Sequence, residues 1–177
     1  MAKNILITGK PRSGKSTLLQ KLIQDFSSKV GFITLEIPGR ENRMGFEIQT
    51  HLGHKAVLAH VDLETLYKVS RYGVDIENLN SLIPEVSDFR ENDLLYLDEI
   101  GQMELYSDKF RNLVIRYLDA NNICIATISS VFEDSFTKLI KNRADVVVVE
   151  LTLDTREEEE RSLRKALQNL KSNTRAV

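Results

Sequence analysis

Apolar and polar positions along the chain follow two periods in turn. Asn4-Ile5-Leu6-Ile7-Thr8 is a short apolar run of the kind carried by a strand covered on both faces. Leu18, Leu19, Leu22, Ile23 and Phe26 then fall at offsets of 0, 1, 4, 5 and 8, which is one face of a helix. Strand patterns follow at Val30 to Ile37 and Met44 to Thr50, and the turn residues Gly39-Arg40-Glu41-Asn42 between them predict a hairpin. Shorter strands are expected at Ala56 to Ala59 and Leu66 to Val69. Ile76 to Phe89 reads as a helix bent or broken near Pro84. Leu94 to Leu97 is a buried strand, and Ser107 caps a helix with Phe110, Leu113, Val114, Tyr117 and Leu118 on one face. A strand at Ile123 to Ile128, a helix at Glu133 to Lys141 and a strand at Val146 to Leu151 follow. The last helix opens with Asp154 and Glu157 at capping-box spacing and carries Leu163, Leu167 and Leu170 as its apolar stripe.

This order predicts an α/β fold: three layers around a mainly parallel sheet, with helices on both faces. Residues 38–75 are the least regular part and are expected to form a small β-rich insertion beside the main sheet. The length of 177 residues suits one domain spanning 1–177 with an ample core. Cys124 is the only cysteine, which excludes an intrachain disulfide framework and any multi-cysteine metal site. A net charge of -2 argues against a broad nucleic-acid surface. The amino-terminal apolar run is too short for a signal peptide and no stretch suits a membrane span, so the expected location is the cytoplasm.

Candidate chemistry enters at Gly9-Lys10-Pro11-Arg12-Ser13-Gly14-Lys15-Ser16, which fits G-x-x-x-x-G-K-[ST] between a strand and a helix. The backbone N–H groups from Ser13 to Thr17 are expected to face one concavity at a helix N-terminus, where the dipole favours an anion. Lys15 would reach the β- and γ-phosphates of a nucleotide, and the Ser16 hydroxyl would ligate Mg²⁺. Leu94-Leu95-Tyr96-Leu97 ends in Asp98-Glu99, as in a buried strand emerging at its carboxyl edge. Asp98 fits a Mg²⁺-holding acid, and Glu99 a group that orients or deprotonates a water. An acid directly after that aspartate points to the ATPase branch in which an extra strand, here Ile123 to Ile128, lies between the other two. Either Thr127 or Ser129 at its end would then sense the γ-phosphate or simply satisfy nearby backbone.

These motifs, with Val30-Gly31-Phe32-Ile33-Thr34-Leu35-Glu36, Arg43-Met44-Gly45-Phe46, Arg71-Tyr72-Gly73-Val74 and Asp98-Glu99-Ile100-Gly101-Gln102-Met103-Glu104-Leu105, resemble the THEP1-type nucleoside-triphosphatases. The resemblance runs over most of the chain in the same order. It implies the P-loop NTPase architecture, and hydrolysis of ATP, GTP and other nucleoside triphosphates to diphosphate and phosphate. It also implies Mg²⁺ dependence, slow turnover and broad base tolerance. The sequence departs from the family at Arg12, where glycine is usual. A glycine there takes φ > 0 cheaply and an arginine does not. Gln102 replaces a commoner lysine, and Thr155-Arg156 stands where Asn-Arg is frequent. Arg156 is kept as a base-stacking candidate.

Phosphoryl transfer needs positive charge at the transferring oxygens. Arg40, Arg43, Arg71 and Arg143 are candidates, with Arg43 and Arg71 favoured because they lie in family-like blocks. Glu36 and Glu104 lie in such blocks too, as supporting residues or as ion-pair partners of an arginine. Phe46 and Tyr72 are candidates for a base pocket or for packing, and the spacing of His51, His54 and His60 gives little reason to expect a metal. Two rivals to hydrolysis remain open: a small-molecule or nucleotide kinase on the same core, and a regulatory nucleotide-binding module. Oligomeric state is not encoded in any visible motif.

Overall fold

The computed structural model describes residues 2–174 of the chain. Its strands are β1 (Asn4–Thr8), β2 (Lys29–Ile37), β3 (Gly45–Thr50), β4 (Lys55–His60), β5 (Lys68–Val69), β6 (Tyr72–Val74), β7 (Leu94–Ile100), β8 (Cys124–Ile128) and β9 (Val146–Glu150). The helices are α1 (Lys15–Ile23), α2 (Ile76–Ser87), α3 (Asp108–Asp119), α4 (Ser135–Lys141) and α5 (Arg156–Thr174), with a short 3₁₀ turn at Glu104–Tyr106.

All nine strands form one sheet in the order β5-β6-β4-β3-β2-β7-β8-β1-β9. The five strands β2, β7, β8, β1 and β9 are parallel to one another. From β2 outward, β3, β4, β6 and β5 are antiparallel. The β-rich middle therefore does not sit beside the main sheet but continues it, because β3 zips along β2 from Ile37↔Gly45 to Phe32↔Thr50. β8 lies between β7 and β1, the place expected for the extra strand.

The alternation of side chains along each central strand divides the core. Ile5, Ile7, Leu94, Tyr96 and Ile125 point to the face covered by α1 and α5, where they meet Leu18, Leu19, Leu22, Leu163 and Leu167. Leu6, Leu95, Leu97 and Ala126 point to the other face, onto Leu79, Val86, Phe110, Leu113 and Ile140 of α2, α3 and α4. The period of two thus builds the three α/β/α layers, and both faces of β1, β7 and β8 are buried, whereas the edge strand β9 leaves Val147 and Val148 exposed.

Helix ends follow local chemistry. Ser107 caps α3 by accepting from the Phe110 N–H at 3.0 Å. The capping position of α5 is Thr155 rather than the expected Asp154, since the Thr155 carbonyl accepts the first helical bond, from Glu159 N–H at 2.9 Å. α2 runs unbroken through Pro84, which stands in its last four residues, so the missing N–H removes only one helical bond. Among the described residues no helix is long and apolar enough to cross a membrane.

Candidate active site

The carboxyl ends of β1 and β7 face one cavity of about 710 Å³. Pro11, Arg12, Gly14, Lys15, Ser16 and Thr17 line it from the loop after β1 and the start of α1. Gly14, with φ 96°, occupies the left-handed region directly before α1. This turn leaves the first N–H groups of α1 with no intrahelical partner. The Ser13 N–H is an exception to the expected cradle: it donates to the Lys10 carbonyl at 3.1 Å. Gly9, Lys10 and Ser13 are not part of the cavity lining. Gly9 instead supplies a carbonyl that accepts from Lys15 Nζ at 3.0 Å and from the Ser130 hydroxyl at 2.8 Å.

Lys15 is 8 % exposed, so its ammonium is held inside the loop by carbonyl dipoles. Across from it, Asp98 is 1 % exposed. Its Oδ1 accepts from Ser16 Oγ at 2.9 Å and from Thr127 Oγ1 at 2.6 Å, while Oδ2 is buried with no hydrogen-bond partner among the described residues. Burial raises the Asp98 pKa, and the two hydroxyls and Lys15 oppose that rise. Burial also raises Glu99, against the pull of Lys15 and with a push from Asp98. The loop, Lys15, Ser16, Asp98 and Glu99 are thereby brought to one place.

The Ser16 hydroxyl and the buried Asp98 carboxylate, whose Oδ2 has no partner among the described residues, are hard oxygen donors of the kind that fit a Mg²⁺ ion. Thr127, fully buried, reaches Asp98, whereas Ser129 Oγ accepts from the N–H groups of Val131 and Phe132 and so satisfies its own turn.

The arginines separate. Arg43 lines the cavity, its guanidinium 4.6 Å from the centroid of the Phe46 ring and paired with Glu36. Arg71 does not line it; it donates to the Arg43 carbonyl and to Tyr72 Oη. Arg40 lies with Arg71 around a neighbouring pocket. Arg143 is excluded from the site, because it pairs with Asp119 at 2.8 Å and Asp145 at 2.9 Å, where β9 and β1 begin. Arg156 lines the cavity and donates to the Ser13 carbonyl at 3.0 Å; a Cβ on Gly14 would lie 3.0 Å from its guanidinium carbon. Phe46 lines the cavity and Tyr72 does not.

Two further residues adjoin the acidic pair, of which only Thr34 had no role in the sequence reading. Thr34 of β2 donates to the Asp98 carbonyl, a cross-strand contact with no local signature. Glu104 has no arginine partner among the described residues; it is 4 % exposed and lines the cavity beside Glu99. Burial and the Glu99 charge push it up to about 8. Gly101 makes room for the two acids, since a Cβ there would stand 3.0 Å from Glu104 Oε2 and 3.5 Å from Glu99 Oε1.

Residues 4–163 match the family model described as NTPase. Nucleoside-triphosphatase THEP1 of Thermotoga maritima is 43 % identical over 149 residues, covering 83 % of this chain and 85 % of that protein. The protein of the same name from Natranaerobius thermophilus is 34 % identical over 171 residues, with 93 % and 96 % covered. The crystal structure of THEP1 from Aquifex aeolicus superposes with a TM-score of 0.80 at 31 % identity, covering 90 % of this chain and 96 % of that one. The solution structure of a human cancer-related nucleoside triphosphatase gives 0.81 at 28 % identity, covering 95 % and 98 %.

Proposed function

The chain belongs to the THEP1-type nucleoside-triphosphatase family, a family of hydrolases acting on nucleoside triphosphates, and from that premise we propose how it works and on what. Its substrates are ATP, GTP and the other common nucleoside triphosphates, cleaved slowly to the diphosphate and phosphate with Mg²⁺. The observation that carries this reading is the 2.9 Å bond from Ser16 Oγ to Asp98 Oδ1, which joins the anion-binding loop to the acidic strand end.

In this reading the N–H groups at the start of α1 and the Lys15 ammonium grip the phosphate tail. Lys15 leaves its loop carbonyls for phosphate oxygens, a stronger charge-assisted contact. Ser16 and Asp98 would hold a magnesium ion, which when bound would neutralise charge on the phosphate oxygens. Glu99 takes the proton of the attacking water; its raised pKa makes it a better base than an exposed carboxylate. Arg43 supplies positive charge at the far end of the tail, and Arg71 contributes by fixing the Arg43 backbone. Pro11, Arg12 and Thr17 wall the phosphate site, with Gly9, Lys10 and Ser13 shaping the loop behind it. Arg156, packed over Gly14, offers a planar face on which any base can stack, in keeping with broad base tolerance. A cytoplasmic location belongs to the same reading.

The test is phosphate release from ATP, GTP, CTP and UTP, with Mg²⁺ or with EDTA. Release from all four with Mg²⁺ and its loss in EDTA are expected. No release from any of them with Mg²⁺, or release indifferent to EDTA, contradicts the proposal. Lys15→Ala is expected to abolish nucleotide binding in a calorimetric titration.

A further inference from the structure

The two edges of the sheet are finished differently. An edge strand presents unpaired N–H and C=O groups, and proteins blunt it with shortness, lysine, proline or a bulge. β5 follows that rule, being two residues long and beginning with Lys68. β9 does not. It is five residues long, Val146-Val147-Val148-Val149-Glu150, with neither lysine nor proline. Its pairing with β1 runs without a shift from Asn4↔Val146 to Thr8↔Glu150, so it carries no bulge. Among the described residues no strand lies on its outer side. Val147 is 46 % exposed and Val148 40 %.

The ladder to β1 fixes which backbone groups face outward. The Asp145 carbonyl accepts from the Asn4 N–H, and the Leu151 N–H donates to the Thr8 carbonyl at 2.8 Å. Odd-numbered residues therefore turn their groups to β1, and Val146, Val148 and Glu150 turn theirs away. A second copy of β9, antiparallel and related by a twofold axis at Val148, sets Val148 against Val148 and Val146 against Glu150. Only this register matches all three outward positions with outward positions. The charges agree with it. Val146, Val148 and Glu150 are level with Asn4, Leu6 and Thr8, and so share the face on which α4 packs. Lys141, the last residue of α4, leads by a short turn to the amino end of β9. Glu150 stands exposed at the carboxyl end, with no ion pair among the described residues. The twofold axis brings each Glu150 to the Lys141 end of the other copy and sets no like charges opposite one another.

We infer that β9 is a self-association edge, which pairs antiparallel with the β9 of a second copy of this chain and continues one sheet through both. The pairing gives the outward backbone groups of Val146, Val148 and Glu150 partners and covers Val147 and Val148. Five residues a side make a small contact, so the dimer forms with rising concentration and is not obligate. The inference is independent of the proposed hydrolysis.

Sedimentation velocity of the full chain, from low micromolar to submillimolar concentration, tests it. A monomer–dimer equilibrium is expected. Val148→Lys sets two lysines against each other at the axis and is expected to raise the dissociation constant about tenfold or more. Glu150→Lys changes an exposed side chain that has no ion pair to lose, so the fold is kept. It is expected to weaken the dimer about fivefold, and Glu150→Lys combined with Lys141→Glu to recover most of that loss. Monomer alone at every concentration overturns the inference. A dimer indifferent to Val148→Lys or to Glu150→Lys also overturns it, because the copies then join through another surface. A dimer weakened by Glu150→Lys and not recovered in the double variant overturns it as well, since the strands then do not run antiparallel about Val148.

Discussion

Arg12 holds φ at 66°, in the left-handed region, where an L side chain costs about 1–2 kcal/mol. Its side chain is exposed, so no burial offsets that cost. Arg12→Gly is therefore expected to raise the stability of the ligand-free protein by about 1 kcal/mol, read as a higher urea midpoint at unchanged slope. An unchanged or lower midpoint contradicts the strain. Glu104 has a different signature. Its folded pKa is about 8 against an ordinary 4.5, so between those values the folded state binds the proton that the unfolded state has released. Stability therefore falls as pH rises through that window. Glu104→Gln removes this contribution, and its advantage over the parent chain should grow by up to about 1.4 kcal/mol per pH unit there. Urea unfolding of both chains at pH 5, 6.5 and 8, without nucleotide or Mg²⁺, checks this; parallel profiles contradict it.

Ser107 joins two elements. It accepts from Phe110 N–H at the start of α3 and donates to Asn80 Oδ1 of α2 at 2.5 Å. Ser107→Ala removes the cap and strands a partly buried acceptor, so a loss of about 2 kcal/mol in urea unfolding is expected. This cap was legible in the sequence because serine and the stripe from Phe110 to Leu118 both act within a turn or two of chain. β1 and the β2–β3 hairpin were legible for the same reason. β6 was not: Tyr72–Val74 is too short to show a period and exists only through its pairing with β4 and β5. The continuation of one sheet through β3 to β6 is likewise a matter of partners, which local pattern does not specify. At the site, the loop and Asp98-Glu99 stood out because each is a contiguous motif. Thr34 and the arginine-free burial of Glu104 come from strands and turns distant in sequence, and Arg71 could be separated from Arg43 only once the cavity was defined.

At the scale of the molecule, the sheet order explains the site. β8 spaces β7 from β1 by one strand, and that interval lets Ser16 at the head of α1 reach Asp98 at the end of β7. Thr127 fills the gap from β8 itself, its hydroxyl on the same Asp98 oxygen. The antiparallel half of the sheet then closes the far side with Arg43 and Phe46. The central claim is that Glu99 activates the nucleophile on a phosphate tail held by the other residues. The direct measurement is nucleotide affinity and single-turnover phosphate release for Glu99→Gln beside the parent chain. The account predicts near-parent affinity with release slowed about a hundredfold or more. Release at the parent rate, with affinity intact, would contradict it.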